Sequence, residues 1–372
     1  MARLESHVYD LPTVTASGSR EDLGRVIGTT LGDLIRRFVP MRFGSAQTYM
    51  ADIGRGDLDS LLSVGQRCFR LFERWDPAAF VEHNAIAKAA GVNPVELFTA
   101  GNMTDLRDVV LLSGEPVEGV TIPADAEGCT AVLVPGSHTA DGAVVVGQTW
   151  DLNPTDVDYV VGVHRRPDDG PATWSVTVAG CPSLVGMNDR GVCVGTTNVK
   201  TWGSRDGIGY MNVLHRALCS TSFEAATEVI DTAPVAGAHT YWLADARRIF
   251  EWEATPDHHN RRQLRDRPFA RTNHCLHPAH VARQGEPPSS SSLLRRQRAQ
   301  AWLERGNHTV ETVRELFCDR GDGVDSINRR PEDDQGTATD AVIIAVPERY
   351  ELWACRGPAD RGQWRQLHFE GL

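Results

Sequence analysis

The hydrophobic periodicity of this chain changes partway along its length, and that change limits the folds open to it. In the first hundred residues apolar side chains recur at helical spacing. Leu23, Ile27, Leu31, Leu34 and Phe38 follow one another at intervals of three and four, which is one face of a helix. From Gly128 the apolar residues come instead as short β-branched runs, at 131–134, 143–150, 157–163, 173–178 and 192–197. Turn signals such as Asp141-Gly142 and Asp168-Asp169-Gly170 separate them. An all-α or all-β fold cannot accommodate both patterns.

End signals sharpen the expected elements. Ser19 and Asp22 form a Ser-x-x-Asp variant of the capping box, opening a helix expected to reach about residue 39. A second helical region is expected over 45–75, with glycines that interrupt it. A third follows Asn93-Pro94, a capping residue and a proline suited to the first helical turn. After the strand-rich stretch the pattern predicts helices at 209–220 and 222–231, then strands at 240–243 and 249–253. Helices at 292–304 and 309–318 precede a last strand pair at 341–346 and 350–354. Helices, strands, helices, strands in that order predict an α+β protein with sheets covered by helices, an αββα layering. The Pro/Ser-rich stretch 284–291 is expected as a surface loop, and there are no internal repeats or heptads.

Bulk properties exclude several function classes. With 372 residues the chain is long enough for a large core, and a formal charge of −11 argues against nucleic acid or an anionic membrane as partner. The basic stretch 261–271 is too short and too Pro-interrupted to count as a nucleic-acid patch. Residues 1–15 carry charges and no apolar run, so no secretory signal is expected, and no apolar run approaches the length of a spanning helix. Eight cysteines are scattered without a CxxC pair, several of them in apolar contexts. This fits reduced core thiols in a cytoplasmic protein.

Five short stretches carry candidate chemistry. Gly128-Cys129-Thr130 opens an apolar run, and Gly147-Gln148-Thr149-Trp150-Asp151 closes the next one. The 22 residues from Cys129 to Asp151 suit two adjacent strands joined by a turn at 135–142, which brings the two side chains near each other. Taken alone, Cys129 begins a buried strand and Asp151 caps a turn with Asn153-Pro154. Gly186-Met187-Asn188-Asp189-Arg190-Gly191 is a tight turn between strands, and Thr197-Asn198 follows it. In Arg271-Thr272-Asn273-His274 the Asn amide is either part of a polar loop or an uncharged donor for a reacting carbonyl. Ser292-Leu293-Leu294-Arg295 starts a helix, with Arg295 either a surface cation or a group turned inward. The histidines at 258, 259, 274, 277 and 280 and Cys275 match no standard zinc spacing, so no metal is expected.

In this order, Gly-Cys-Thr, Gly-Gln-x-Trp-Asp, Gly-Met-Asn-x-x-Gly and Thr-Asn-His resemble the isopenicillin N acyltransferase family of self-cleaving N-terminal nucleophile (Ntn) hydrolases, relatives of the choloylglycine hydrolases. The resemblance implies a four-layer αββα sandwich cut between Gly128 and Cys129. Residues 1–128 and 129–372 would then remain associated as the small and large fragments of one domain. It also implies that Cys129 is the nucleophile, with Asp151 beside it and Asn273 as oxyanion donor. Gln148, Asn198 and Arg295 would support the site, and no cofactor or metal is needed. Gly128 suits a scissile bond because it leaves the carbonyl approachable, and the amine released at Cys129, with a reference pKa of about 7.7–8.0, can act as general base for its own thiol. The expected partner is a small amide or acyl thioester. Where the penicillin-forming acyltransferases carry a Ser-Arg pair ahead of a glycine, this chain has Asp334-Gln335-Gly336. That favours amide hydrolysis or acyl transfer on another specialised metabolite. An acyl-CoA-dependent N-acyltransferase and an uncleaved binding member of the family stand as alternatives.

Overall fold

The structure, a computed structural model, describes residues 9–116 and 128–371. It opens with a strand the periodicity did not announce, β1 (Thr13–Gly18), followed by helices α1 (Arg20–Thr30), α2 (Gly32–Ile53), α3 (Leu58–Trp75), α4 (Pro77–Ala90), α5 (Pro94–Gly101) and α6 (Met103–Leu111). Two expected caps are present: Ser19 Oγ accepts from Asp22 N–H at 3.2 Å, and Asn93 Oδ1 from Val95 N–H at 2.8 Å. The single helix expected to residue 39 is instead two, broken at Leu31, whose φ of −101° and ψ of 10° leave helical geometry. The break has a packing cause. α1 lies so close to α4 that a Cβ on Gly24 or Gly28 would sit 2.3 or 2.4 Å from a carbonyl oxygen of α4, so α1 is fixed to that partner while α2 turns away. The expected region 45–75 also divides, at Gly54, which ends α2 with φ 67°.

From Gly128 the chain builds β2 (Gly128–Val134), β3 (Val145–Leu152), β4 (Val160–Pro167), β5 (Thr173–Val178), β6 (Val185–Asn188) and β7 (Cys193–Asn198). Helices α7 (Tyr210–Leu218) and α8 (Phe223–Thr232) precede β8 (His239–Ala244), β9 (Ile249–Ala254), β10 (His259–Leu264) and β11 (Phe269–Arg271). Then come α9 (Pro278–Val281), α10 (Ser290–Leu303) and α11 (Val310–Phe317), and finally β12 (Ala338–Val346), β13 (Glu351–Arg356) and β14 (Arg365–Gln366). The expected strands are present with their ends moved by a few residues. The edge strands β10 and β14 and the three-residue β11 were not expected. β10 (His-Asn-Arg-Arg-Gln-Leu) is polar and half-exposed, so its ladder to β9 holds it rather than a buried face. The Asn188 turn forms as read, with Asn188 Oδ1 accepting from Arg190 and Val192 N–H, both at 3.0 Å.

Among the described residues the strands form two sheets, one of eight strands in the order β1-β4-β5-β6-β7-β8-β9-β10 and one of six in the order β11-β2-β3-β12-β13-β14. Alternate residues of the smaller sheet serve two cores. Cys129, Ala131, Leu133, Val146 and Trp150 pack with Val176, Val194 and Trp242 of the larger sheet. Val132, Val134, Val342 and Ile344 pack with Ala299, Leu303, Val313 and Phe317 of α10 and α11. Met211, Leu214, Ala226 and Ile230 of α7 and α8 also join the first core. This is the expected αββα layering. Burying each of the Val, Leu, Ile, Met and Phe side chains among these contributes about 1.5–3 kcal/mol. No described helix is long and apolar enough to cross a membrane.

Candidate active site

The β2–β3 ladder sets the register of the site. Gly128 lies opposite Asp151, and Cys129 opposite Trp150. Directly opposed residues share a face and neighbours alternate. Asp151 therefore stands on the Gly128 side, toward α10, and the Cys129 side chain turns toward the larger sheet. The carboxyl borders the peptide that precedes Cys129 rather than the thiol face. A Cβ at Gly128 would sit 3.2 Å from Asp151 Oδ2, 2.7 Å from Arg329 Nη1 and 3.4 Å from Arg295 Nη2. A side chain at position 128 would have to displace the Arg329 guanidinium and crowd Asp151.

Arg295 enters this space from α10, which packs on β2, and its side chain is buried. Its Nε donates to Ser291 Oγ at 3.0 Å, and Nη1 donates to Thr130 Oγ1 at 2.9 Å and to the Cys129 carbonyl. Nη2 donates to Asn273 Oδ1 at 3.0 Å. Asn273 follows β11, which pairs with β2 through Arg271 and Ala131. Its Oδ1 accepts from Cys129 N–H at 2.8 Å, and its Nδ2 donates to the Asn198 carbonyl at 3.0 Å. Two donors on the oxygen and a carbonyl facing the nitrogen fix the orientation of this amide. Ser292 anchors the loop: its Oγ accepts from Asn273 N–H at 2.9 Å and lies 2.8 Å from His274 Nδ1, and its carbonyl accepts from Thr272 Oγ1.

The charges are unusual for a buried place. Burial pushes the Asp151 carboxyl upward, against the opposing pull of Arg295 and Arg329. Thr149 and Thr339 flank it, yet neither carboxyl oxygen has a well-aligned hydrogen bond. Burial lowers both guanidiniums, Arg295 to about 10, and both lie within electrostatic reach of Cys129. Two cations beside a buried carboxyl at Gly128 make this a place where an added negative charge would be stabilised.

The structure thus brings Gly128, Cys129, Asp151, Asn273 and Arg295 together, with Asn198 contributing its backbone carbonyl. Gln148, opposite Ala131, lies on the same inter-sheet face as Cys129, but its side chain is engaged with the larger sheet. Its Oε1 accepts from Trp242 Nε1 at 2.7 Å and from Thr196 N–H at 2.9 Å, so it ties one sheet to the other. Asp151 does not cap the turn at Asn153, where Asn153 Nδ2 donates to Asp156 instead. Arg329 is the residue that sequence reasoning missed. Nothing in Asn328-Arg329-Arg330 separates it from a surface basic run. Its backbone bonds to Thr339, which lies opposite Asp151 in the β3–β12 ladder, and that pairing delivers it to the site. Asp334 and Gln335, where the Ser-Arg pair was sought, lie in an exposed turn. The histidines at 258, 277 and 280, set aside on spacing, converge at the β9–β10 turn. His274 is apart from them, held by Ser292.

Residues 137–360, more than half of the chain, match the family described as acyl-coenzyme A:6-aminopenicillanic acid acyl-transferase. The match begins just downstream of Cys129. Solved structures with a similar course include a variant of conjugated bile acid hydrolase from Clostridium perfringens, 14% identical over 65% of this chain and 97% of that one, with a TM-score of 0.44. Penicillin V acylase from Agrobacterium tumefaciens is 11% identical over 66% of this chain and 87% of that one, with a TM-score of 0.42. The chain belongs to the acyl-coenzyme A:6-aminopenicillanic acid acyl-transferase family.

Proposed function

We propose that the protein cuts its own Gly128–Cys129 bond and then uses Cys129 to form an acyl-enzyme from a small amide or acyl thioester. In maturation the thiol adds to the Gly128 carbonyl and the C–N bond breaks, leaving a thioester. Water opens it to a Gly128 carboxylate, a free Cys129 thiol and a free α-amine. In turnover that amine takes the thiol proton, sulfur attacks the substrate carbonyl, and the proton passes to the leaving group. Asn273 Nδ2, released from the Asn198 carbonyl, and a backbone N–H would steady the oxyanion. Arg295 and Arg329 would hold the new Gly128 carboxylate until it leaves.

The observation that carries this reading is the setting of the Cys129 nitrogen. Asn273 Oδ1 holds it at 2.8 Å, and the Asp151 carboxyl, short of well-aligned donors, stands against the same peptide. Cleavage would place an ammonium beside that carboxyl. Fragments 1–128 and 129–372 would stay together, because β2 is paired on both edges and the helices of the first fragment share the main core. None of the eight cysteines is in a disulfide, in keeping with a reducing, cytoplasmic setting. The acyl-enzyme would be resolved by water, or by an amine in acyl transfer, and a specialised metabolite is the favoured substrate. The family description favours an acyl-CoA donor as the second reading.

Intact mass under denaturing conditions tests the proposal. Two fragments parting between Gly128 and Cys129 in the wild type, and one chain in Cys129→Ala, are expected. A wild-type chain that stays whole while it turns over an amide would sink the N-terminal nucleophile.

A further inference from the structure

We infer that His258, His277 and His280 form a site for a zinc-class divalent ion, which clamps the loop carrying Asn273 to the β9–β10 turn. In sequence the first histidine is distant from the other two. In the fold, His258 sits in the turn leaving β9, while His277 and His280 lie one helical turn apart at the start of α9. Their ring centres are 5.3, 5.3 and 5.0 Å apart, and one nitrogen from each falls within 4.8 Å of the others. A tetrahedral ion with metal–nitrogen bonds of about 2.0–2.1 Å holds its imidazole centres about 5.2 Å apart and its nitrogens about 3.4 Å apart. The ring spacing already matches, and the closest pair, His258 Nδ1 and His280 Nε2, stands at 3.1 Å.

The surroundings are those of a supported ligand set. His280 Nδ1 donates to Glu253 Oε1 at 2.9 Å, which leaves Nε2 with its lone pair toward the other two rings. Glu253 is itself fixed, accepting from Arg271 Nη2, from Leu276 N–H at 2.8 Å and from His277 N–H at 3.2 Å. His277 Nδ1 is buried without a hydrogen-bond partner. His280 is buried and His258 exposed, so a fourth position faces water. Three imidazoles suit zinc, nickel, cobalt or copper rather than calcium or magnesium. Arg271 and His277 bracket Asn273 in sequence, so an ion here would restrain both ends of that loop without touching Cys129. The inference does not depend on the cleavage reading.

The test uses the full chain, stripped with chelator, and zinc chloride as titrant. One ion per chain is expected, with binding tight enough for metal analysis to recover it after dialysis. The melting temperature should rise with free zinc. His258→Ala, at an exposed position, should melt like the stripped wild type yet bind zinc at least about 100-fold more weakly, and His277→Ala should behave likewise. Cys129→Ala should bind as the wild type does. No stoichiometric uptake by the wild type, unchanged binding in His258→Ala, or loss of binding in Cys129→Ala would each overturn the site.

Discussion

Cys129 and Cys219 both lie in polar surroundings, but those surroundings differ in kind. Cys219 follows α7, with Sγ 3.7 Å from His215 Nε2, and Ser183 Oγ lies 3.0 Å from the other ring nitrogen. The pair lines a surface cavity of about 470 Å³, together with Arg20 and Arg216. Burial works to raise the Cys219 thiol, but the facing imidazole and Arg20 together overcome it and the thiol is lowered. His215 is raised for the matching reason, its own burial outweighed by Cys219. Around Cys129 stand two guanidiniums, a carboxamide and a carboxyl, arranged about the peptide bond before it. One thiol has its base in the intact chain. The other, on the proposed reading, acquires its base only when that bond breaks. What sets Cys129 apart is therefore not an activating base but the cations and the carboxamide gathered on the peptide before it.

The sharpest way to break this comparison is to remove each sulfur in turn. Cys129→Ala should abolish cleavage and reduce turnover by about 10³-fold or more, while Cys219→Ala should leave both within about twofold. If Cys219→Ala abolishes turnover and Cys129→Ala keeps it, the roles are reversed.

Next in size is the guanidinium that sequence did not reveal. Arg329→Met should slow cleavage by about 10²–10³-fold, followed as the fraction of cut chain with time by denaturing mass spectrometry. Gly128→Ala should slow it too, because the added Cβ meets Arg329. Cleavage of Arg329→Met at the wild-type rate would remove Arg329 from the site.

Alkylation rates probe the second thiol directly. At neutral pH, iodoacetamide should label Cys219 before Cys68 and Cys181, whose thiols burial pushes up to about 12. His215→Gln should slow labelling of Cys219 by about tenfold. Equal labelling in both proteins would show that the imidazole does not activate this thiol.

The smallest effect concerns stability. Burial lowers His83 to about 4, where its ring packs among Phe69, Phe72 and Phe98. The unfolded chain binds a proton at this residue near pH 6.5 and the folded chain only near 4. Acid therefore favours unfolding, and the stability from a neutral His83 is complete above pH 6.5 and lost as pH falls toward 4. A loss of about 1–3 kcal/mol is expected across that window, flattened in His83→Gln. Identical slopes for the two proteins in denaturant melts would contradict it.

How much of this was legible varies with the range of the contact. The Cys129–Asp151 neighbourhood was readable because one hairpin makes it, and a hairpin is set by local alternation and a turn. The placing of Asn273 and Arg295 rested on resemblance, since their spacing in the chain says nothing about the β11–β2 pairing and the α10 packing that bring them in. Even the side of the strand that Asp151 occupies, toward Gly128 rather than the thiol, needed the register.

By itself the sequence determined the layer order, most strands, the capped helix starts and the two central motifs, because each is written in residues close along the chain. Tertiary structure alone decided the break at Leu31, the arrival of Arg329 beside Gly128, the use of Gln148 as a tie between sheets and the meeting of His258 with His277 and His280. These depend on which surfaces approach and in what register. Such contacts leave no periodic trace, since a buried arginine on a loop reads the same as an exposed one until the strand beside it is paired.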